Sequence, residues 1–424
     1  MYKQGTIWPR LLAAGAVTAG LAMAAAVPAE EVAEGTLLNA ASIDSLLDKT
    51  LDGHPIRSVL VGEQEKMIRQ YGWAMTLTKA RPESVITGIV ELTQKHKGEA
   101  KLDEGKHLVN YTTGVPFPDL DRADPDAGYK LVYNLLRVGW LGDAMNLKPI
   151  NFLVIDGKKG LEKEQGWVYR RFLMSGRLNE PHVLDQSIAK YEGLMNVYPN
   201  DTRGLGLLTV NYADGRLPDV YAYVKSLRRV RRLSSGSWAD PIQGTDFLFD
   251  DAFGLNLDPT WYEGWKLLGK RPVLSVPRSI LPAMNEQASG KAKYPFMRLE
   301  EAPYWNFQPD NYEVHDAYEL DGIPKNNHLV SRRHMFVSAQ LGSPKFYWQD
   351  HYDRKGEHWH TEFVGYKDWK LEDGRTGTVA NTVLLIDVQR LHATAFGYSE
   401  GFHINSPDAK AADYAPEALP RMME

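Results

Sequence analysis

Residues 205–253 decide the fold of this chain, and they read LGLLTVNYADGRLPDVYAYVKSLRRVRRLSSGSWADPIQGTDFLFDDAF. Two extended runs, Gly206 to Tyr212 and Asp219 to Leu233, flank the turn sequence Ala213-Asp214-Gly215-Arg216. Asp-Gly between two such runs predicts a β-hairpin, because glycine adopts a positive φ without steric cost. We therefore expect a long hairpin in which Asp219 to Leu233 forms one continuous second strand.

The second strand of this hairpin ends in a group of four arginines, Arg228, Arg229, Arg231 and Arg232. Side chains two residues apart share one face of a strand, so these arginines divide between both faces. The segment that follows is acidic and contains Asp246, Asp250 and Asp251. Because arginine forms bidentate pairs with carboxylates, we expect ion pairs that fix this segment to the sheet. The alternative is that some arginines bind an anionic lipid headgroup or an acidic partner surface.

The N-terminus has the three parts of a secretory signal peptide. Lys3 and Arg10 supply positive charge, Leu11 to Val27 is an uncharged alanine-rich run, and Val27-Pro28-Ala29 has the small residues of a cleavage site. The run is shorter and less apolar than the ~20 residues of a membrane-spanning helix. We expect residues 1–29 to be removed on export, with an uncleaved anchor as the alternative. The chain has no cysteine, which excludes disulfides and a lipid-modified N-terminal cysteine.

Composition predicts a soluble, mildly acidic protein in the periplasm. The formal net charge of −5 becomes two units more negative when Lys3 and Arg10 leave with the signal. Such a protein is a poor ligand for nucleic acid, whose phosphates attract cationic surfaces. The sequence lacks a G-x-S-x-G nucleophile turn, a phosphate-binding P-loop, a dinucleotide fingerprint and an H-E-x-x-H helix. We therefore predict a protein that is not an enzyme and needs no cofactor.

Helical periodicity is strongest from Asp126 to Val138, and shorter helices are predicted after Ser42 and over Val59 to Arg69. The later segments alternate in polarity between turn residues, which predicts strands. Outside the hairpin these strands are Ile150 to Ile155, Trp167 to Met174, Tyr262 to Leu267, Val273 to Val276, Tyr312 to Leu320, Met335 to Leu341, Phe346 to Tyr352, His358 to Tyr366 and Val383 to His392.

Many short strands with few helices between them predict a mainly β (α+β) fold, built on one large curved antiparallel sheet or open half-barrel packed on a few helices. No composition change marks a domain boundary, so residues 30–405 are predicted to form one domain. Pro277 to Tyr304 is predicted to be a long loop, and the polar tail of residues 406–424 is expected to be flexible. We expect the Leu205 to Phe253 hairpin to be structural, at the join of a half-open barrel.

Several motifs resemble those of the domain-of-unknown-function family 1329, exported proteins of Gram-negative bacteria. Thr113-Gly-Val-Pro-Phe-Pro and the helix from Tyr129 to Gly139 are similar to its GIPFP and W-N-H-L-x-R signature, although Val132-Tyr133-Asn134-Leu135 departs from Trp-Asn-His-Leu. The similarity continues through Arg228-Arg-Val-Arg-Arg, Gly244-Thr-Asp-Phe-Leu-Phe-Asp-Asp, Trp265-Lys-Leu-Leu-Gly-Lys and Asp350-His-Tyr-Asp-Arg-Lys-Gly. The later motifs are also similar to those of LolA-type outer-membrane lipoprotein-sorting proteins.

This resemblance implies a curved sheet wrapped partly around helices, with an apolar cavity for acyl chains or another hydrophobic ligand. It also implies a periplasmic shuttle whose partners are an inner-membrane transporter of the RND type and an outer-membrane protein. We accordingly predict a carrier of lipids or hydrophobic small molecules, in which the Asp126 to Val138 helix covers an apolar groove. Burial of ligand surface in that groove is worth ~25 cal/mol per Å².

Aromatic residues and two arginines are the predicted ligand-binding set, because pockets are lined mainly by such apolar side chains with a few polar groups. The set is Trp238, Phe247, Phe249, Trp261, Trp265, Trp305, Phe307, Arg229 and Arg231. Aromatic side chains more often belong to a packed core than to a pocket, so the alternative for each aromatic residue is a structural role.

His358, His360 and Glu362 share one face of a regular strand, and imidazole with carboxylate can bind Zn²⁺. A metal-dependent hydrolase built on these residues is therefore one alternative function, and a scaffold that joins a pump to an outer-membrane channel is another. More often, side chains in such a set are solvated or form ion pairs and bind no metal.

The register of the preceding turn, Asp353-Arg354-Lys355-Gly356, decides which residues join this set. If Gly356 is a left-handed bulge residue, the facing pairs are Tyr352 with His358 and Asp350 with His360. A plain two-residue loop would instead place His351 opposite His358.

Overall fold

The computed structural model describes residues 30–138, 142–224, 229–233, 240–325, 327–399 and 401–422. The predicted signal peptide, residues 1–29, lies outside these ranges, as do Arg228 and Trp238. The helices are α1 (Ile43–Leu46), α2 (Ile56–Val59), α3 (Gln64–Tyr71), α4 (Ile89–Lys95), α5 (Ala127–Val138) and α6 (Leu419–Met422).

The strands of the described chain are β1 (Thr36–Leu38), β2 (Thr50–Leu51), β3 (His54–Pro55), β4 (Met75–Leu77), β5 (Lys101–Leu102), β6 (Leu108–Val109), β7 (Ala144–Asp156), β8 (Gly160–Leu173), β9 (Ile188–Tyr198), β10 (Leu205–Tyr212), β11 (Asp219–Val224), β12 (Arg229–Leu233), β13 (Tyr262–Ser275), β14 (Asp310–Pro324), β15 (Arg332–Ser338), β16 (Phe346–Tyr352), β17 (His358–Lys370), β18 (Thr376–Asp387), β19 (His392–Tyr398) and β20 (Phe402–Ile404).

One large sheet contains most of these strands, in the order β1-β4-β14-β15-β16-β17-β18-β19-β7-β8-β9-β10-β11-β12, with β13 paired to β14 and β20 to β7. Its pairings are antiparallel except for the parallel contact between β4 and β14. The sheet does not close into a barrel. This confirms the predicted mainly β fold with a large open sheet and few helices.

The sheet consists of two arrays of consecutive hairpins. The first array runs from β7 to β12 and the second from β14 to β19, and they join where β19 pairs with β7. The β7–β8 hairpin shows how local sequence sets the turns. Asp156 Oδ1 accepts hydrogen bonds from the backbone N–H groups of Lys158 and Lys159 at 2.7 and 3.0 Å, and Gly160 has a φ of 98°. Turn chemistry of this kind fixes hairpin register.

Residues 205–233 form three strands. β10 and β11 make the predicted hairpin, with Gly215 at a φ of 73°. The prediction of one continuous second strand is wrong, because β12 folds back antiparallel on β11 and places Leu233 opposite Val220. Lys225-Ser226-Leu227-Arg228, between β11 and β12, contains no glycine or proline to indicate a turn. Since β12 is the last strand of the sheet, the hairpin lies at an open edge and does not join a half-barrel.

Three other strand predictions differ from the structure. Tyr262 to Leu267 and Val273 to Val276 belong to the single strand β13, in which Pro272 is tolerated because β13 pairs only with β14 among the described strands. Val383 to His392 divides into β18 and β19, and Leu391 in the intervening turn has a φ of 55°. No strand was predicted for the segment that forms β9.

Helix α5 confirms the strongest helix prediction and packs closely on β13. A Cβ atom at Gly128 would lie 2.3 Å from the carbonyl oxygen of Trp265, so glycine permits the close approach. Asn134 accepts a hydrogen bond from the Phe117 backbone N–H at 2.9 Å and donates one to the Phe117 carbonyl at 2.7 Å. These bonds attach the proline-rich turn around Phe117 to the helix and fix the position of α5 over the sheet.

The C-terminal segment packs on the first array. Tyr414 is buried with its ring centroid 5.1 Å from that of Phe172, and Leu419 is fully buried beside Met195 and Leu208. Apolar side chains of residues 406–422 thus cover a surface of the sheet, and the flexibility of this tail stays a prediction. In the described parts of the chain, no helix has both the length and the apolar character needed to cross a membrane.

Candidate functional site

A groove lies between helix α5 and strands β8 to β10, and we call it the α5 groove. We call its smaller part, of about 70 Å³, the inner cleft and its larger part, of about 680 Å³, the outer cavity; Arg137 and Ser175 line both parts. The apolar lining of the inner cleft includes Leu136, Leu173, Ala189, Pro218, Leu257 and Trp261. That of the outer cavity includes Leu108, Val109, Tyr111, Val183 and Ala213. The groove therefore combines residues that are far apart in sequence.

The turn of the β10–β11 hairpin closes one end of the groove. The Trp261 indole N–H donates to the Gly215 carbonyl at 2.9 Å. A Cβ atom at Gly215 would lie 2.4 Å from His107 Nδ1, so this position has no room for a side chain. Asp214 and Arg216, on either side of this glycine, line the outer cavity and the inner cleft, respectively. The sequence stretch that decides the fold also contributes a wall of the candidate site.

A buried ion pair lies at the base of the groove. Lys190 Nζ is 3.0 Å from Glu192 Oε2, and it also donates to Asn256 Oδ1 at 2.9 Å. Burial by itself raises the pKa of Glu192, but the charge of Lys190 and a hydrogen bond from Tyr169 hold it below its ordinary value. Lys190 is therefore paired within the protein.

Arg137 is the second cation of the groove, and its environment is different. Its guanidinium carbon lies 5.7 Å from the centre of the Tyr111 ring, and the residue lines both cavities. No described residue forms a hydrogen bond or ion pair with this side chain. Sequence reasoning missed Arg137, although its position one turn after the buried Tyr133 on an apolar helix was an available signal.

The structure separates the predicted aromatic residues. Trp261 lines the inner cleft. Phe249 is half-buried, and Phe247, Trp265, Trp305 and Phe307 are buried in the main core. Phe247 stacks on Phe396 with ring centroids 4.7 Å apart, and the Trp265 ring centroid is 4.2 Å from that of Tyr262. These buried aromatic side chains stabilise the fold and do not line the α5 groove.

The predicted arginines also lie away from the groove. Arg229 and Arg231 are exposed on β12, and Arg232 pairs with Asp219 of the neighbouring strand. The predicted ion pairs with the acidic segment are wrong for the described arginines. Asp246 instead binds His392 Nδ1 at 2.6 Å and accepts from the Thr394 hydroxyl at 2.7 Å. These arginines lie on β12, the last strand in the order of the sheet, and the acidic segment does not reach that strand.

The remaining carboxylates of that segment, Asp250 and Asp251, bind Arg333 of β15. All three side chains are fully buried. Arg333 Nη2 is 2.9 Å from Asp250 Oδ2 and also donates to Asp251, while Nη1 donates to His351 Nε2 at 3.1 Å. Burial by itself raises the pKa of Asp250, but Arg333 and His328 hold it below its ordinary value. We call this set the Arg333 cluster.

The predicted metal set of His358, His360 and Glu362 is not assembled. Tyr352 faces His358 and Gly356 has a φ of 79°, as the left-handed bulge predicts, but Trp359 has no partner on β16. This second irregularity places His351, and not Asp350, opposite His360.

The same irregularity directs the two histidines of β17 to different faces of the sheet. His358 Nε2 lies 2.9 Å from the Thr361 hydroxyl and 3.6 Å from Asp350. His360 lies beside His351, with ring centroids 5.7 Å apart. The structure pairs Tyr352 with His358 and His351 with His360, and neither register considered from the sequence contained both pairs.

Another group has the residue types of a metal site. Potential ligand atoms of Asp251, His351 and His360 lie within 4.8 Å of one another, and all three residues are buried. Arg333, however, donates to both Asp251 and His351. The guanidinium supplies positive charge where a cation would bind, and its contact with His351 Nε2 requires that nitrogen to accept a hydrogen bond. Asp251, His351 and His360 therefore belong to a buried cluster that contains the guanidinium of Arg333, and we assign this cluster a structural role.

An open antiparallel sheet with a groove under one covering helix is thus the class of fold that this chain adopts. The family model described as "Protein of unknown function (DUF1329)" matches residues 54–420, so the chain belongs to that family. No curated protein matches the chain.

Several solved structures are similar to this chain. One is a domain described as that of an outer membrane lipoprotein-sorting protein from Vibrio parahaemolyticus, with 15% identity, a TM-score of 0.46, and coverage of 70% of this chain and 100% of that one. A DUF1329 family protein from Desulfovibrio piger has 17% identity, a TM-score of 0.46 and the same two coverages. A LolA superfamily protein from Nitrosomonas europaea has 11% identity, a TM-score of 0.39, and coverage of 69% and 98%.

Proposed function

We propose that this protein is a non-enzymatic carrier that binds a lipid or another hydrophobic small molecule in the α5 groove. The outer cavity carries this proposal, because its volume of about 680 Å³ falls within the range of roughly 300–1,000 Å³ that is typical of small-molecule sites. Its lining combines apolar side chains with polar and charged ones. Transfer of apolar ligand surface from water to such a lining is worth ~25 cal/mol per Å².

The two parts of the groove have different tasks in this proposal. The outer cavity has room for a ligand as it stands, whereas the inner cleft of about 70 Å³ is nearly filled by its own side chains. A ligand therefore occupies the outer cavity first, and an apolar end extends toward Leu136 and Trp261. The described members of the predicted ligand-binding set contribute Trp261 to this site, and residues outside the set supply the rest.

The N-terminal sequence supports a periplasmic location for this carrier, because residues 1–29 have the pattern of a cleaved secretory signal. Transfer between an inner-membrane transporter of the RND type and an outer-membrane protein is the corresponding route in this proposal. A scaffold that only joins two such partners would need no ligand, so ligand binding separates the two functions.

Binding of a neutral fluorescent probe, N-phenyl-1-naphthylamine, tests the carrier function. We expect the wild-type protein to bind the probe, and Trp261→Ala to bind it about tenfold more weakly because a wall of the inner cleft is lost. Trp369→Ala is the matched control. Trp369 is also half-buried but packs against Phe402, outside the groove. Lipid extraction of the purified protein followed by mass spectrometry identifies the natural ligand. Equal binding by both tryptophan variants, or no binding by wild type, would contradict the proposal.

A further inference from the structure

We propose that the α5 groove selects amphiphiles with an anionic headgroup, a carboxylate or a phosphate, and that Arg137 binds this headgroup. The inference rests on the proposed carrier function and adds the chemical class of the ligand. It is carried by the position of one guanidinium that has no polar partner among the described residues and lies where the inner cleft meets the outer cavity.

Arg137 packs against an aromatic ring, and its hydrogen-bond donors have no partner in the described part of the chain. Its side chain lies against the Tyr111 ring, while the Tyr111 hydroxyl donates to the Gly114 carbonyl at 2.8 Å. The hydroxyl of Tyr133, one helical turn earlier, donates to the Lys106 carbonyl at 3.1 Å. Both tyrosines therefore have protein partners for their hydroxyl groups, and the guanidinium has none among the described residues. A planar fork of five N–H donors is suited to bind carboxylate or phosphate oxygens.

The other cations of the groove already have partners. Lys190 pairs with Glu192 at 3.0 Å. Arg216 stacks on Tyr212 with its guanidinium carbon 3.7 Å from the ring centre, and it lies 3.5 Å from Asp214. An incoming anion would have to compete with these contacts, whereas no described residue competes for the guanidinium of Arg137.

The acidic residues of the groove are likewise engaged within the protein. Asp258 accepts hydrogen bonds from the backbone and the hydroxyl of Thr260 at 2.9 and 2.6 Å. Glu99 lies 2.9 Å from His96 Nδ1 and accepts from Thr112 at 3.1 Å. Neither carboxylate contacts Arg137. Among the described residues, no negative charge thus faces Arg137, where the two parts of the groove meet.

This location also sets the orientation of the ligand. Leu136 precedes Arg137 on α5 and lines the inner cleft together with Leu173 and Leu257. A headgroup bound to Arg137 places an attached acyl chain directly beside these apolar side chains. A single-chain amphiphile satisfies both parts of the site, whereas a neutral hydrocarbon satisfies only the apolar part.

Displacement of N-phenyl-1-naphthylamine by dodecanoate, dodecyl phosphate and dodecanol tests the inference, because these compounds share one chain and differ in the headgroup. We expect the wild-type protein to bind the two anions roughly tenfold more tightly than dodecanol, as a charge-assisted hydrogen bond would provide. In Arg137→Met this preference disappears and dodecanol affinity stays the same, since methionine keeps the apolar packing. Arg137→Lys retains part of the preference. Arg231→Met, which removes an exposed arginine outside the groove, behaves as wild type.

Vesicles of phosphatidylglycerol provide a second arm that identifies the source of the anionic headgroup. Transfer of phospholipid from the vesicles to the wild-type protein, but not to Arg137→Met, assigns the site to membrane lipids. Binding of monomeric dodecanoate without such transfer assigns it to free fatty acids.

Two results would overturn the inference, and they are distinguishable. If wild type binds dodecanol as tightly as the anions, or if Arg137→Met keeps the preference, the headgroup assignment is wrong while the carrier function stands. If wild type binds none of the compounds, the carrier function fails and the headgroup assignment fails with it.

Discussion

The guanidinium groups of Arg333 and Arg137 lie in two regions of the protein that differ in burial and in polar contacts. In the Arg333 cluster the guanidinium is fully buried and contacts two carboxylates and a histidine. In the α5 groove Arg137 is half-buried against Tyr111 and has no described polar partner. A buried charge is tolerated only when it is paired, so the first region is complete within the chain. The second region is completed by solvent or a ligand.

Glu362 is a further buried carboxyl group near Arg333. Burial, and then the negative charge of Asp251, raise its pKa well above the ordinary value, and Gln349 donates a hydrogen bond to it. This environment therefore favours the neutral form of Glu362 beside the two carboxylates that contact Arg333. Within the described chain, residues close to Arg333 are thus buried and joined by hydrogen bonds and ion pairs, which are properties of a structural core.

The largest expected effect comes from breaking the Arg333 cluster. Arg333→Met leaves Asp250 and Asp251 buried without their cation, and loss of one partner from a buried ion pair costs about 3–5 kcal/mol. Chemical denaturation measures this change in the free energy of unfolding. Arg332→Met is the adjacent control, because Arg332 is 37% exposed and its pair with Asp321 is near the surface. A cost for Arg333→Met as small as that of the control would show that the cluster contributes little to stability.

A second structural ion cluster predicts a pH dependence. Burial by itself raises the pKa of Glu313, but His315, Arg81 and Arg278 lower it from 4.5 to about 2. Because the folded-state value is the lower one, this stabilisation is fully present above pH 4.5 and is lost as the pH falls toward 2. Glu313→Gln should therefore cost up to roughly 3 kcal/mol at pH 7 and much less near pH 2.

Denaturation curves at a series of pH values check this expectation. Glu301→Gln is a suitable control, because the Glu301 side chain is 69% exposed and pairs with Arg298 only at the surface. A destabilisation by Glu313→Gln that stays constant between pH 7 and pH 2 would show that ionisation of Glu313 is not its cause.

The smallest expected effect on stability belongs to the arginines of β12. Arg229 and Arg231 are exposed and have no described ion pair, so replacing both with alanine should change the free energy of unfolding by less than about 0.5 kcal/mol. Equilibrium denaturation of the double variant tests this directly. A loss above 1 kcal/mol would reveal a structural role at this edge and would weaken the distinction between paired and unpaired arginines.

Local patterns in the sequence predict much of the fold but little of the site. Asp214-Gly215 predicts the β10–β11 hairpin, and apolar periodicity predicts α5. The pairing of Arg333 with Asp250 could not be predicted, since it depends on strand order between residues that are 83 positions apart. Arginines much closer in sequence seemed better partners for that carboxylate. Sequence proximity was the wrong criterion because the sheet carries those arginines to its edge.

The α5 groove was only partly predictable for a related reason. Its lining comes from α5, from the ends of β8 to β10 and from the segment around Trp261, and no short stretch contains this combination. Helix α5, which was predicted to cover a ligand groove, contributes Tyr133, Leu136 and Arg137 to the lining of the inner cleft. The sequence did not show which aromatic residues line the groove, because aromatic side chains fill both cores and pockets. The irregular strand pairing at Trp359 could not be predicted from the sequence either, because the extra residue is not marked by a glycine or proline.

The pairing of β7 with β19 determines when the sheet can be completed during folding. Ile150 lies opposite Tyr398, whereas the strands within each array pair mostly with their neighbours in sequence. Closing such a long loop has an entropic cost that local hairpins do not share, and contacts of high sequence separation slow folding. Each array can begin to form from its own hairpins, but their union must wait for the C-terminal part of the chain. Until then β7 and β19 expose unpaired edges, and a chaperone that binds extended segments would find its targets there.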